Sequence, residues 1–122
     1  MRCAFGPASR DAIHRAYQAG PLLACDVVWA ELRAHFPDDE AFHQAMRLLG
    51  LTFDPLGSEA AALGGALWGA ARSMRSTRTH VVADYLIGAH ARVQADALLT
   101  RDERFYRGSF EGLKVIDPTG AR

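Results

Sequence analysis

The stretch "ADALLTRDERFY", residues 95–106, joins a short apolar run to an abrupt group of polar side chains. Its apolar part, Ala97–Leu99, is typical of a buried strand. The run ends directly in Thr100, Arg101 and Asp102, so a hydroxyl, a cation and a carboxylate follow one strand end. We therefore expect the edge of a functional site here, provided that other acidic groups meet it.

The composition is that of an ordinary globular chain. With 122 residues, 49% of them hydrophobic, 23% charged and a formal net charge of zero, residues 1–122 are expected to form a single domain. No global basic field favours nucleic acid, so any site for a polyanion must be local. Cys3 and Cys25 lack the spacing of metal ligands, which favours a reducing compartment. No membrane span or signal peptide is evident, and a cytoplasmic location is expected.

Strand patterns alternate with helix patterns along the chain. Apolar runs predict strands at residues 22–25, 51–56, 97–99 and 112–118. Helix signals cover residues 9–19, 27–36, 38–50, a stretch from 58 to about 74, and 80–94. Strands separated by helices imply right-handed crossovers and a mostly parallel sheet flanked by helices, so the predicted fold class is α/β.

Three acidic residues are expected at one edge of that sheet. Glu31 lies early in the helix after strand 22–25, Asp84 lies about one turn into helix 80–94, and Asp102 follows strand 97–99. In a parallel α/β sheet, helix starts and strand ends share the carboxyl edge. Gly88, one turn after Asp84, leaves room beside it. Each acid also has an explanation that involves no functional site. Glu31 could face solvent, Asp84 could be stabilised by the dipole at a helix start, and Asp102 could cap a turn.

Together these carboxylates favour a bound cation, because clustered like charges repel. Oxygen ligands without His or Cys in ligand spacing suit Mg²⁺ or Mn²⁺ better than zinc. Such ions activate water and stabilise the oxygens of a phosphoryl displacement.

The blocks "VVWAEL", "VVADYLIGAHA", "ADALLTRDERFY" and "GLKVIDP" resemble a PIN domain, most like the VapC-type toxin ribonucleases of bacterial toxin–antitoxin pairs. The resemblance covers residues 21–118, and the order Glu31, Asp84, Asp102 matches the family. It implies a three-layer PIN-like fold in which these acids hold Mg²⁺ or Mn²⁺ and RNA is hydrolysed. It also implies that Thr100 hydrogen-bonds around the site, that Phe105 packs beneath it, and that a cognate antitoxin and a homodimer are partners.

The start of the chain departs from this pattern. The family begins with an apolar strand that lies in the middle of the sheet and ends in an Asp, whereas "MRCAFGPASR" has neither feature. Asp11 falls in a predicted helix and is no substitute. We expect either that the true start lies upstream and the chain is truncated, which is the preferred interpretation, or that the protein is a degenerate member.

Local arginines are candidates for contacting RNA. Arg75 and Arg78 precede the helix that carries Asp84, while Arg101 and Arg104 flank Asp102. Clusters of this kind attract phosphates even at zero net charge. Solvated loop cations that balance nearby acids are the alternative.

Two other functions stay open. One is a catalytically inactive PIN-like module that binds RNA or a protein partner. The other is a receiver-like phosphotransfer domain, which is disfavoured because the first strand carries no acid and no phosphate-cradling loop is evident.

Overall fold

The computed structural model describes residues 2–6, 20–74 and 80–117, which contain five strands and five helices. The strands are β1 (Cys3–Phe5), β2 (Leu22–Ala24), β3 (Leu51–Phe53), β4 (Ala97–Leu99) and β5 (Val115–Ile116). The helices are α1 (Asp26–Arg33), α2 (Asp39–Leu49), α3 (Ser58–Ser73), α4 (Val82–Gln94) and α5 (Glu103–Ser109). The helix predicted at 9–19, with Asp11, lies outside the described residues. Within these ranges, no helix has the length and apolar character needed to cross a membrane.

The five strands form one parallel sheet in the order β3-β2-β1-β4-β5. The chain crosses from β1 outward to β2 and β3 and then returns to the other side of β1 for β4 and β5. The strand order therefore changes direction between β1 and β4. In such sheets the crevice at the carboxyl ends of the two strands at this point is where ligands bind.

The expectation of a missing central strand is wrong. Strand β1 lies in the middle of the sheet, with Cys3 opposite both Leu22 and Ala97. Cys3 and Ala4 are buried, so two small side chains replace the long apolar run that was expected. The second half of the expectation holds, because Gly6 and not an Asp follows this strand.

Helix α4 forms much of the core. Six of its residues are buried: Tyr85, Ile87, Gly88, Ala89, His90 and Ala91. His90 is only 1% exposed, and its Nε2 atom lies 2.8 Å from Oδ2 of Asp54. Gln94 Nε2 donates to the same Asp54 oxygen at 3.0 Å, and Gln94 Oε1 accepts from the Gly57 N–H at 2.8 Å. These bonds fix the β3–α3 loop on α4 and make His90 a packed structural histidine.

The two cysteines are free and buried. Burial raises the pKa of both thiols, and a buried thiol of raised pKa is unreactive because the thiolate is the nucleophile. We expect neither thiol to react with a disulfide reagent such as 5,5′-dithiobis(2-nitrobenzoic acid) in native buffer at pH 8. Both should react in guanidinium chloride. Rapid labelling of native protein at either position would contradict the burial of strand β1 or of the β2–α1 junction.

Candidate functional site

The carboxyl edge of the sheet carries a pocket of about 280 Å³. Helix α1 starts there because it follows β2, α4 starts there because it runs back to feed β4, and α5 starts there because it follows β4. The pocket is lined by Glu31, Asp84, Ile87, Thr100, Arg101, Asp102 and Tyr106. The three acids predicted from the sequence, together with Thr100 and Arg101, therefore meet in one place.

Asp102 is held from two sides. Its backbone N–H donates to the Thr100 hydroxyl at 3.1 Å, and its Oδ2 atom lies 2.7 Å from His80 Nε2. The His80 ring stacks on the Phe105 ring with centroids 3.8 Å apart and planes 7° from parallel. Phe105 in turn contacts Tyr85 edge-on at 5.2 Å. The carboxylate at the start of α5 is thus oriented by a histidine that is itself fixed by an aromatic floor.

Asp84 occupies the first turn of α4. Its Oδ2 atom accepts a hydrogen bond from the Val81 N–H at 2.9 Å, which satisfies one of the free donors at the helix start. Asp84 is also one of the residues that line the pocket. The room predicted beside Asp84 at Gly88 is taken by the Phe110 ring, because a Cβ atom at Gly88 would lie 2.2 Å from Phe110 Cε2.

The ends of β1 and β4 approach each other closely at the pocket. The Gly6 N–H donates to the Leu99 carbonyl at 2.7 Å. A Cβ atom at Gly6 would lie 3.1 Å from that carbonyl oxygen and 3.3 Å from the Thr100 Cβ and Oγ1 atoms. Thr100 is buried, and it fills the space in which a side chain on the residue after β1 would begin.

The acids of the pocket affect the pKa of Tyr106. Burial raises the pKa of the Tyr106 phenol, and the negative charges of Asp84, Asp102 and Glu31 raise it further. All three acids therefore act on one point inside the pocket.

The predicted arginines divide into three groups. Arg101 lines the pocket, and Arg104 is exposed on α5 outside the pocket lining. Arg75 and Arg78 lie outside the described residues.

The oxygen atoms that line the pocket are suitable ligands for a hard divalent cation, since they are carboxylates and a hydroxyl in a negatively charged pocket. Among the described residues, however, no three Asp, Glu, His or Cys side chains are placed so that they could hold one metal ion. Asp84 and Asp102 each commit an oxygen to another partner. The pocket therefore suits Mg²⁺ or Mn²⁺ by the chemistry of its ligands but not by their present spacing.

Two residues of the site were not predicted as such from the sequence. His80 begins the helix predicted at 80–94, and its pairing with Asp102 joins positions 22 residues apart. No role was predicted for Tyr106, although its position four residues after Asp102 places it on the same face of α5.

Comparison with solved structures relates this architecture to known proteins. VapBC-1 from nontypeable Haemophilus influenzae aligns with a TM-score of 0.72 at 18% identity, over 98% of this chain and 99% of that chain. The chain has the PIN-like fold of these structures. DNA-bound VapBC from Salmonella typhimurium aligns at 0.68 and 13% identity, over 97% and 98%. FitAcB from Neisseria gonorrhoeae aligns at 0.61 and 18% identity, over 99% and 100%.

Comparison of the sequence alone finds no related protein for this PIN-like chain. No protein-family model matches it, and no curated protein matches it significantly. At identities of 13% to 18%, the shared feature is the fold.

Proposed function

We propose that this chain is a metal-dependent endoribonuclease that hydrolyses RNA phosphodiester bonds. One observation carries the proposal: Glu31, Asp84 and Asp102 come from three separate segments and line one pocket. Carboxylates gathered in this way repel one another unless a cation or protons compensate their charge. The pocket also lies at the change of strand order, where parallel α/β sheets bind their ligands.

Each group of the pocket has a role in this proposal. Glu31, Asp84 and Asp102 would hold Mg²⁺ or Mn²⁺ after their side chains move together around it, since they are not so placed without the ion. The bound ion would supply Lewis acidity and a more acidic water. The Thr100 hydroxyl orients the Asp102 backbone, and His80 orients its carboxylate. Arg101 at the pocket attracts the RNA phosphate, and Arg75, Arg78 and Arg104 add further positive charge to bind RNA.

The second part of the proposal is that the chain is the toxin of a toxin–antitoxin pair, restrained by a cognate antitoxin and assembled as a homodimer. Its support is the fold shared, over nearly the full length of the chain, with VapBC and FitAcB.

Metal dependence tests the enzymatic part. We expect the purified chain to cleave a mixed-sequence RNA with Mn²⁺ or Mg²⁺, to stop in EDTA, and to resume when Mn²⁺ is restored in excess. Gel analysis of 5′-labelled RNA measures this, with circular dichroism showing that the chain is folded in each buffer. Cleavage of equal rate in EDTA would contradict a metal-dependent mechanism.

A second candidate is a catalytically inactive PIN-like module that binds RNA or a protein. Two observations favour it: Gly6 follows the central strand in place of an acid, and no three-ligand metal group forms among the described residues. This candidate predicts a folded chain that retains RNA in EDTA and never cleaves it.

A further inference from the structure

Tyr106 is a rigidly held phenol at the pocket that the proposed roles do not use. It is 4% exposed and lines the pocket with the three acids. Its ring contacts Phe105 edge-on at 4.8 Å and stacks on Phe110 at 6.2 Å. Because the Phe105 and Phe110 rings pack against it, the Tyr106 ring is held in place. The position of its hydroxyl is therefore fixed relative to α5.

The hydroxyl of Tyr106 has no hydrogen-bond partner among the residues that the structure describes, and it is not enclosed, since these residues contain no fully buried polar side-chain atom without a partner. It therefore opens into the pocket. The three carboxylates are close enough to raise its pKa, but none of them accepts a hydrogen bond from it. A nearly buried hydroxyl that donates no hydrogen bond lowers the stability of the fold unless a water or a ligand oxygen accepts from it.

We propose that the Tyr106 hydroxyl donates a hydrogen bond to a non-bridging oxygen of the RNA phosphodiester that enters this pocket. The inference rests on the proposed function and adds a substrate-contacting residue to it. A pocket of carboxylates repels a phosphate, so the site needs donors that offset this repulsion. The lining residues able to donate are Thr100, Arg101 and Tyr106. A tyrosine phenol has an ordinary pKa of about 10, so it keeps its proton across the neutral range and stays a donor.

The test compares Tyr106→Phe with the wild type on two RNAs of the same mixed sequence, one with ordinary phosphates and one with phosphorothioates. Sulfur is a weaker acceptor than oxygen, so the wild type should distinguish the two RNAs. With ordinary RNA and Mn²⁺, Tyr106→Phe should lower kcat/KM by about 10- to 100-fold, the range for a hydrogen bond to a charged group. The oxygen-to-sulfur ratio of kcat/KM should fall several-fold in the variant. A purely structural role would leave this ratio unchanged.

Tyr85→Phe is the matched control, because Tyr85 is also buried but does not line the pocket. It should keep the wild-type ratio, and thermal melts of both variants show whether each is folded. Wild-type cleavage with an unaltered kcat/KM and ratio in Tyr106→Phe would overturn the hydroxyl contact and leave the proposed function standing.

If the wild type does not cleave, the same two RNAs are titrated in EDTA and followed by fluorescence anisotropy. Affinity and an oxygen-to-sulfur ratio that both fall in Tyr106→Phe would support the hydroxyl contact while the nuclease proposal fails. An absence of RNA binding by the folded wild type would overturn both.

Discussion

Gly88→Ala is expected to destabilise the protein, although alanine is the better helix former. The added Cβ atom would lie 2.2, 2.5 and 2.8 Å from three atoms of the Phe110 ring, and real Cβ atoms do not approach carbon so closely. The substitution gains about 1 kcal/mol in helix propensity. Forcing Phe110 and its neighbours aside costs up to about 3 kcal/mol. This cost is larger than the gain, so we expect the free energy of unfolding to fall by up to about 2 kcal/mol.

Urea denaturation measures this change, and Gly65→Ala in α3 is its matched control. Nothing lies within 4 Å of a Cβ atom at Gly65, so that variant should be stabilised by about 0.5–1 kcal/mol. The double substitution Gly88→Ala with Phe110→Leu should recover part of the loss, because a smaller side chain vacates the space. Unchanged or increased stability of Gly88→Ala alone would show that the Phe110 ring moves away at little cost.

The alternation of strands and helices could be predicted because each pattern is local. Strand β4 was predicted at Ala97–Leu99 and is observed there, since a short unbroken apolar run bounded by polar residues is typical of a buried strand. The edge shared by Glu31, Asp84 and Asp102 followed from the geometry of a parallel sheet alone.

The parts that could not be predicted depend on contacts distant in sequence. Strand β1 has three residues, and only pairing with β2 and β4 on both sides identifies it as a strand. The occupation of the space at Gly88 by Phe110 joins positions 22 residues apart, as does the pairing of His80 with Asp102. No local periodicity carries such information.

Asp102→Asn is expected to lower RNA cleavage by at least about 100-fold, the loss of roughly 3 kcal/mol of transition-state stabilisation. The change keeps the size of the side chain and removes its charge. Asn can still accept a hydrogen bond from His80, and the backbone bond to Thr100 is untouched. The side chain is 50% exposed, so losing its charge beside His80 should cost less than about 1 kcal/mol of stability. Initial rates on labelled RNA, with thermal melts alongside, separate the two effects.

Asp96→Asn is the control that makes this loss specific. Asp96 is an exposed Asp at the other end of the same strand, where it accepts a hydrogen bond from the Arg2 N–H at 2.7 Å. Removing its charge changes the net charge of the protein by the same amount but lies at the amino edge of the sheet, away from the pocket. Cleavage by Asp96→Asn should match the wild type. If Asp102→Asn also cleaved at the wild-type rate, the activity would belong to another site or to a contaminating nuclease, and the convergence of the three acids would need a different explanation.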